Sequence, residues 1–306
     1  MMTRLLVPAG LGLCLIGPAS SITAFASPPA QRARQPRTPT AAADISYGQF
    51  PDSPLGHFWF YLGQGQQREA QDAFRRISTF EQRYRALTQA VYPSSYPPGT
   101  REIVTNCANV ALKDEGDPHK RAAIYRVLAQ MSYRLKDTDS ALANAQRAVR
   151  LNPGSPWGWF WLAEIFHDRE FYAAEAAARK RELSLFTGNS VDDCLHRSHI
   201  YHKLALLYRR YFRQPETAIR YCYLDINEVM KLPDDENYAA YRVGRCSGTF
   251  LNILLTMVQD LHDLPRAQRT LEWAAAIIPS FPSEPLYQAD ILRLGLRLPA
   301  AEAAPQ

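Results

Sequence analysis

The feature that most constrains this chain is a single helical pattern written three times. Tyr125, Leu128 and Ala129; Trp159, Leu162, Ala163 and Phe166; and Tyr201, Leu204, Ala205 and Tyr208 share one spacing. A large residue followed by Leu beside a small residue gives a helix a bulky stripe next to a gap, and the gap lets a second helix approach closely. The second helix repeats as well. Ala141, Ala145, Ala148 and Pro153 match Ala267, Leu271, Ala274 and Pro279 at identical spacing. From Leu55 to Leu298 apolar residues recur three and four apart, and no convincing run alternates with period two, so the chain is predicted to be all-α. Breaks at Tyr92-Pro93, Pro97-Pro98-Gly99, Gly116-Asp117-Pro118, Asn152-Pro153-Gly154, Gly188-Asn189, Leu232-Pro233 and Pro279 to Pro282 cut it into hairpins.

On these residues the segment Ala122 to Ser155 resembles a tetratricopeptide repeat over its full length. Pro156 to Asn189 resembles a second unit, with Ala174 and Ala178 in the small positions. Ser198 to Pro233 resembles a third with a longer second helix, and Gly248 to Pro282 a fourth, mainly in its second helix. The resemblance implies an α-solenoid of helix-turn-helix repeats, and four units exceed the three that such a stack needs to bury a core. Gly63 after Trp59 and Leu62 copies the first-helix signature, but the turn that follows does not fit. Residues 55–118 are therefore expected to form a helical N-terminal cap or degenerate repeat, and 119–298 the repeats with a closing helix from Ser283 to Leu298. Residues 299–306 read as a disordered tail.

The start of the chain carries an address. Arg4, an apolar stretch from Leu5 to Ile16 and the small-x-small sequence Ala24-Phe25-Ala26 predict a signal peptide over 1–26. That stretch is shorter than a membrane span of ~20 residues, so no stable span is expected after processing. Residues 27–54 begin basic and acid-free, as a flexible linker or transit segment. The expected location is the secretory route, periplasmic or extracellular, with plastid import through a two-part presequence as the alternative. Cys107, Cys194, Cys222 and Cys246 follow the signal and fit either two disulfides or buried thiols.

Motifs for chemistry are missing. There is no Gly-x-Ser-x-Gly, no His-Glu-x-x-His and no phosphate-cradling glycine loop, so no enzyme and no cofactor is expected. Asp192, Asp193, Asp234, Asp235 and Glu236 precede helices and read as caps and first-turn acids. The net charge of +5 is modest for 306 residues, and Arg32, Arg34 and Arg37 supply much of it. Basic clusters at Arg75-Arg76, Arg83 and Arg85, Arg179-Lys180-Arg181, and Arg209-Arg210 with Arg213 read as a solvated outer face, and no nucleic-acid partner is expected. The densest group of metal-ligand types is Cys194, His196, His199 and His202. On a helix His196 and His202 lie on different sides, so no metal site is expected, and a metal-binding or enzymatic helical protein using Cys194 to His202 is kept as the rival reading.

Repeat register gives those histidines another role. The resemblance implies that second, fifth and ninth positions of each first helix line a concave face, which assigns Arg126, Gln130, Trp157, Phe160, Glu164, His199 and His202 to it, and Tyr133 is placed in the same groove. Trp159 and Trp161 are expected to pack inside the hairpins, whereas Trp157 and Phe160 have no packing duty and read as anchors for a peptide. Gln130 and Trp161 stand where the family's two-carboxylate clamp uses asparagines, so a clamp for a partner's terminal carboxylate is not expected. The function that follows is a non-enzymatic protein-interaction scaffold or assembly factor holding another protein's peptide or helix in the groove. The alternative is a structural subunit of a larger complex.

Overall fold

Thirteen α-helices, one π-helical turn and one 3₁₀ turn make up the regular structure of the computed structural model, which describes residues 53–90 and 99–298. No strand occurs among the described residues. In chain order the helices are α1 (Pro54–Gly63), α2 (Gln67–Arg75), α3 (Phe80–Ala90), α4 (Thr100–Asp114), α5 (Pro118–Arg134), α6 (Thr138–Leu151) and α7 (Pro156–Asp168). There follow α8 (Tyr172–Leu183), α9 (Val191–Arg210), α10 (Pro215–Met230), α11 (Glu236–Leu255), α12 (Leu264–Ile277) and α13 (Pro285–Arg293). The π turn, Thr256–Asp260, continues α11, and the 3₁₀ turn is Phe281–Ser283. The all-α repeat architecture read from the sequence is the architecture of the chain. The expected signal peptide, nearly all of the linker and the C-terminal tail lie outside the described residues.

Local chemistry explains where helices begin. Pro54, Pro118, Pro156, Pro215 and Pro285 occupy first-turn positions, where the missing N–H costs nothing and the fixed φ favours the helix. Asp117 accepts from the His119 N–H at 2.8 Å, and Asp137 accepts from Ser140 at 3.2 Å. Ser190 and Asp193 form a reciprocal capping box at the start of α9, and Asp235 accepts from both Asn237 and Tyr238. The acids expected to serve as caps therefore do so at Asp193 and Asp235.

The turns inside the hairpins are the clearest sign of repetition. Each carries one residue of left-handed conformation: Gly65 (φ 68), Lys136 (φ 61), Glu170 (φ 60), Arg213 (φ 53) and His262 (φ 54). At the first three, the N–H of the next residue reaches back five positions: Gln66 to Tyr61 O, Asp137 to Ser132 O and Phe171 to Phe166 O, each at 2.9 Å. The left-handed residue itself bonds three positions back, to Leu62, Tyr133 and His167, which completes a Schellman closure. This overturns the expectation that the turn after Leu62 departs from the repeat. In the two later hairpins the corresponding bond spans six positions, Gln214 to Tyr208 and Asp263 to Met257, so those first helices end one residue wider.

Packing follows the pairing. α1 lies on α2, α5 on α6, α7 on α8 and α9 on α10, while α5 also touches α7 and α11 packs on both α10 and α12. Small residues fill the close approaches: Ala129, Ala141, Ala145, Ala163, Ala178, Ala205, Ala218 and Ala267 are all buried, whereas Ala174 is only half-buried. A Cβ on Gly158 would stand 3.2 Å from Val149 Cγ2, which marks how tightly α7 meets α6. Larger side chains close each end of the stack. Phe58, Trp59, Phe74, Leu87 and Ile103 form the N-terminal core, and Phe250, Leu254, Leu271, Phe281 and Ile291 the C-terminal one. Each such burial contributes roughly 1.5–3 kcal/mol before the entropy of ordering is counted. The closing helix is shorter than expected: it ends at Arg293, Gly295 turns at φ 73, and Gln268 of α12 pins Arg297 through both its N–H and its carbonyl.

Candidate partner-binding groove

The first helices α5, α7, α9 and α11 supply one face of the molecule, and the positions singled out by repeat register fall on the first three. Trp157 opens α7 with 39% of its surface exposed, and its ring meets the His196 ring edge-on at 4.8 Å. His196 in turn stacks on Phe186 at 4.8 Å, so the start of α9 and the loop after α8 build an aromatic wall beside Trp157. Phe160, one turn further, lies 6.3 Å from Trp157 and covers the Arg179 guanidinium at 5.5 Å. Trp159 packs within its unit and ties the preceding loop through its Nε1–H, which donates to the Pro153 carbonyl at 2.9 Å. Trp161 sits at 5.7 Å from Tyr133, bridging one repeat to the next.

A cleft of about 250 Å³ opens at the junction of the first two repeats, bounded by His119, Ala122, Arg126, Asn152, Ser155 and Trp157. Arg126 donates to the Tyr84 hydroxyl of α3 and lies over that ring at 5.8 Å. Among the described residues it has no carboxylate partner, and burial lowers its proton affinity. Tyr133 is half-buried, and burial with its hydrogen bond to Asp168 pushes the phenol upward. Gln130 is nearly covered, at 8% exposed, so the ninth position of the first repeat faces the core instead of the groove.

Deeper along the face the chemistry changes from aromatic to ionic. Glu164 accepts from Arg179 and lies 3.7 Å from Lys203 of α9. Burial pushes the Glu164 carboxyl up, and these two cations more than reverse that, holding it below its ordinary value. His199 keeps one side open to solvent while protein walls the rest. Partial desolvation, with the charges of Arg179, Lys203 and Arg245, holds its imidazole well below the usual range, so it is neutral at pH 7. Burial, and after it the charge of Arg245, hold His202 low as well, with Nδ1 at 3.8 Å from Asp225 Oδ2.

Several of the residues that shape this face are absent from the sequence reading. Arg179, taken there for part of a solvated basic cluster, has no exposed surface and is surrounded by Glu164, Glu175 and Glu182. Asp225 is equally buried and receives Ser198, Thr249 (2.9 Å) and Arg245 (3.3 Å). Arg197 clasps Glu228 through two nitrogens at 3.0 and 2.8 Å. Other expected outer-face arginines are also engaged: Arg83 with Ile77 O and Asp114, and Arg209 with Asp260 and Gln259. The signal available was spacing, since Glu175, Arg179 and Glu182 lie on one side of an alanine-rich helix.

The Cys194 to His202 group does not converge. Cys194 is buried and accepts from Arg197 at 3.5 Å, His196 belongs to the aromatic wall, and His202 faces Asp225. Among the described residues no group of three or more His, Cys, Asp or Glu side chains is placed to hold a metal ion. The four cysteines among the described residues are buried free thiols, and burial pushes those of Cys107, Cys222 and Cys246 up to about 12.

With hairpins, turns and inner face in place, the match to known families is specific: residues 122–165 fit the tetratricopeptide repeat model. Residues 122–165 thus match a tetratricopeptide repeat, set in an all-α repeat fold. Among curated proteins none matches it at a significant level. Similar solved structures include BtubC (BKLC) from P. vanneervenii, 15% identical with a TM-score of 0.45, covering 91% of this chain and 94% of that one. The crystal structure of MamA is 13% identical with a TM-score of 0.42, covering 57% and 95%. A human IFIT1 dimer with m7Gppp-AAAA is 15% identical with a TM-score of 0.32, covering 81% and 59%. A tetratricopeptide-type fold of this kind suggests a protein-interaction scaffold, and no described helix is long and apolar enough to cross a membrane.

Proposed function

We propose that this tetratricopeptide-repeat protein is a non-enzymatic assembly factor that holds a partner's peptide or helix along the face built by α5, α7 and α9. The observation that carries this reading is the cleft between Arg126 and Trp157, which opens beside an exposed tryptophan and the ring of Phe160. A large rigid aromatic exposed next to a cavity is the arrangement that anchors an inserted side chain with little ordering cost. The neutral imidazole of His199 offers a hydrogen-bonding edge further along the same face. Replacing Trp157→Ala together with Phe160→Ala should abolish recovery of partners that co-purify with the tagged wild-type chain. An unchanged set of partners would overturn the groove assignment.

A structural subunit of a larger complex is the second reading. It draws support from the far end of the stack, where Leu286 is 69% exposed, Leu292 54% and Trp273 45%. Native size measurement separates the two readings, because a permanent subunit is never recovered as a free monomer. For location we propose the secretory route, to a periplasmic or extracellular site, with plastid import as the alternative. N-terminal sequencing of the mature protein decides between them: a start at Ser27 supports export, and a start near Asp44 supports organelle import.

A further inference from the structure

We propose that the ionic cluster around Arg179 is a proton-held clasp that ties the second repeat to the third and slackens as pH rises. Charge counting carries the argument. Glu164 from α7 and Glu175 and Glu182 from α8 all converge on Arg179, whose Nη1 lies 3.1 Å from Glu182 and whose Nε lies 3.9 Å from Glu175. Among the described residues the only other permanent cation paired with these carboxylates is Lys203 of α9, 3.7 Å from Glu164. Three carboxylates thus face two cations in a place where Glu175 and Glu182 side chains are 1% and 3% exposed.

A net negative charge so covered is costly, and proteins avoid it by keeping a proton. Glu175 has a second neighbour at the solvent side, the His167 ring, with Nδ1 at 2.8 Å from Glu175 Oε2. Among the described residues Glu182 has no such neighbour, and its side chain meets only the guanidinium that also faces the other two carboxylates. The surroundings offer no further relief. On α5 and α7, Tyr133 and Asp168 bond to each other; on α9, His199 is neutral; on α11, Arg245 is committed to Asp225. Burial accordingly lifts both Glu175 and Glu182, the latter to about 7, while Glu164 stays ionised against its two cations.

The consequence is mechanical. Lys203 to Glu164 is an ionic link from α9 to the second repeat, beside a small apolar patch of Ala176, Ile200 and Leu204. When the held proton leaves, the excess charge is relieved only by water entering between α8 and α9, which weakens that contact. The sign is fixed by the raised carboxyl: stability is full below the ordinary carboxyl range, where the unfolded chain also holds the proton, and is lost as pH rises from there through the folded value.

The test is thermal unfolding of the purified full chain from pH 5 to pH 8, beside Glu182→Gln and Lys203→Met. Wild type should lose about 5 °C more than Glu182→Gln over that range. Lys203→Met, which removes one cation at a partly exposed site, should move the midpoint of the loss to higher pH. Infrared difference spectra should show a protonated carboxyl band in the wild type that fades near pH 7 and is missing in Glu182→Gln. Parallel stability curves for wild type and Glu182→Gln, or the same band in both, would overturn the clasp. Should Glu182→Gln not fold, the Lys203→Met midpoint decides: an upward displacement supports the clasp and an unmoved midpoint refutes it.

Discussion

Two buried ionic centres sit at successive junctions of this stack, and they are built on opposite principles. At the third junction one carboxylate, Asp225 of α10, has many donors: Ser198 from α9, and Thr249 and Arg245 from α11. At the second junction one donor, Arg179 of α8, has many carboxylates. Burial raises the Asp225 carboxyl too, against the pull of Arg245 and both hydroxyls, but every oxygen there is matched. Around Arg179 carboxylates outnumber cations, and the guanidinium Nε has no hydrogen-bond partner, with Glu175 at 3.9 Å from it. A saturated centre fixes the register of two repeats, whereas an oversubscribed one ties them with a proton to spare, so removing a charge should have opposite effects at the two places.

The largest effect is expected at the saturated centre. Asp225→Ala leaves Arg245 without its carboxylate and two buried hydroxyls without an acceptor, a loss of about 3–5 kcal/mol. Urea unfolding measures it, and a loss under about 1 kcal/mol would mean that the network contributes register without stability. Arg179→Met comes next, at about 3 kcal/mol near pH 6. It strands three carboxylates, whose ionisation then costs more, so its penalty should grow from pH 6 to pH 8. A penalty independent of pH would place the crowding elsewhere.

A smaller change sharpens the contrast. Thr249→Val keeps shape and removes one donor from Asp225 Oδ2, and should cost about 2 kcal/mol, as hydrogen bonds to charged groups do. Glu182→Gln keeps shape and removes one charge from Arg179, and should instead stabilise the chain by about 1–2 kcal/mol at pH 8 while changing little at pH 5. Equal signs for these two isosteric changes at pH 8 would erase the distinction between the centres.

Most of the architecture was legible because periodicity and turn residues report it directly. Tyr125, Leu128 and Ala129 mark the first helix, and Gly116-Asp117-Pro118 marks where it starts. The inner face was legible only where a residue has no packing duty, as at Trp157. Gln130 shares the register of Glu164, yet it is buried whereas Glu164 keeps some surface beside Lys203 of α9. The ionic centres left only one trace in the sequence, the spacing of Glu175, Arg179 and Glu182. Arg179 reads as one of three consecutive cations, and only α7 and α9 closing over it reveal that its neighbours Lys180 and Arg181 are exposed while it has no surface. A buried charge is recognised by partners brought from other helices, and those pairings are tertiary information.

The smallest expected effect tests whether the hairpin tips share in any of this. Glu170 and Arg213 occupy the left-handed position at the tips of the second and third repeats, where Gly65 serves in the first hairpin. A side chain in that conformation costs roughly 1–2 kcal/mol, partly offset by the smaller chain entropy it has to lose compared with glycine. Glu170→Gly and Arg213→Gly should each stabilise the chain by about 0.5–1 kcal/mol, a rise of about 2–3 °C in Tm. Because the strain is local and the tips lie outside both ionic centres, the two gains should be equal and should not change between pH 6 and pH 8. If Glu170→Gly alone proved pH-dependent, the tip of the second repeat would be coupled to the proton held beside Arg179, and the clasp would extend beyond α8.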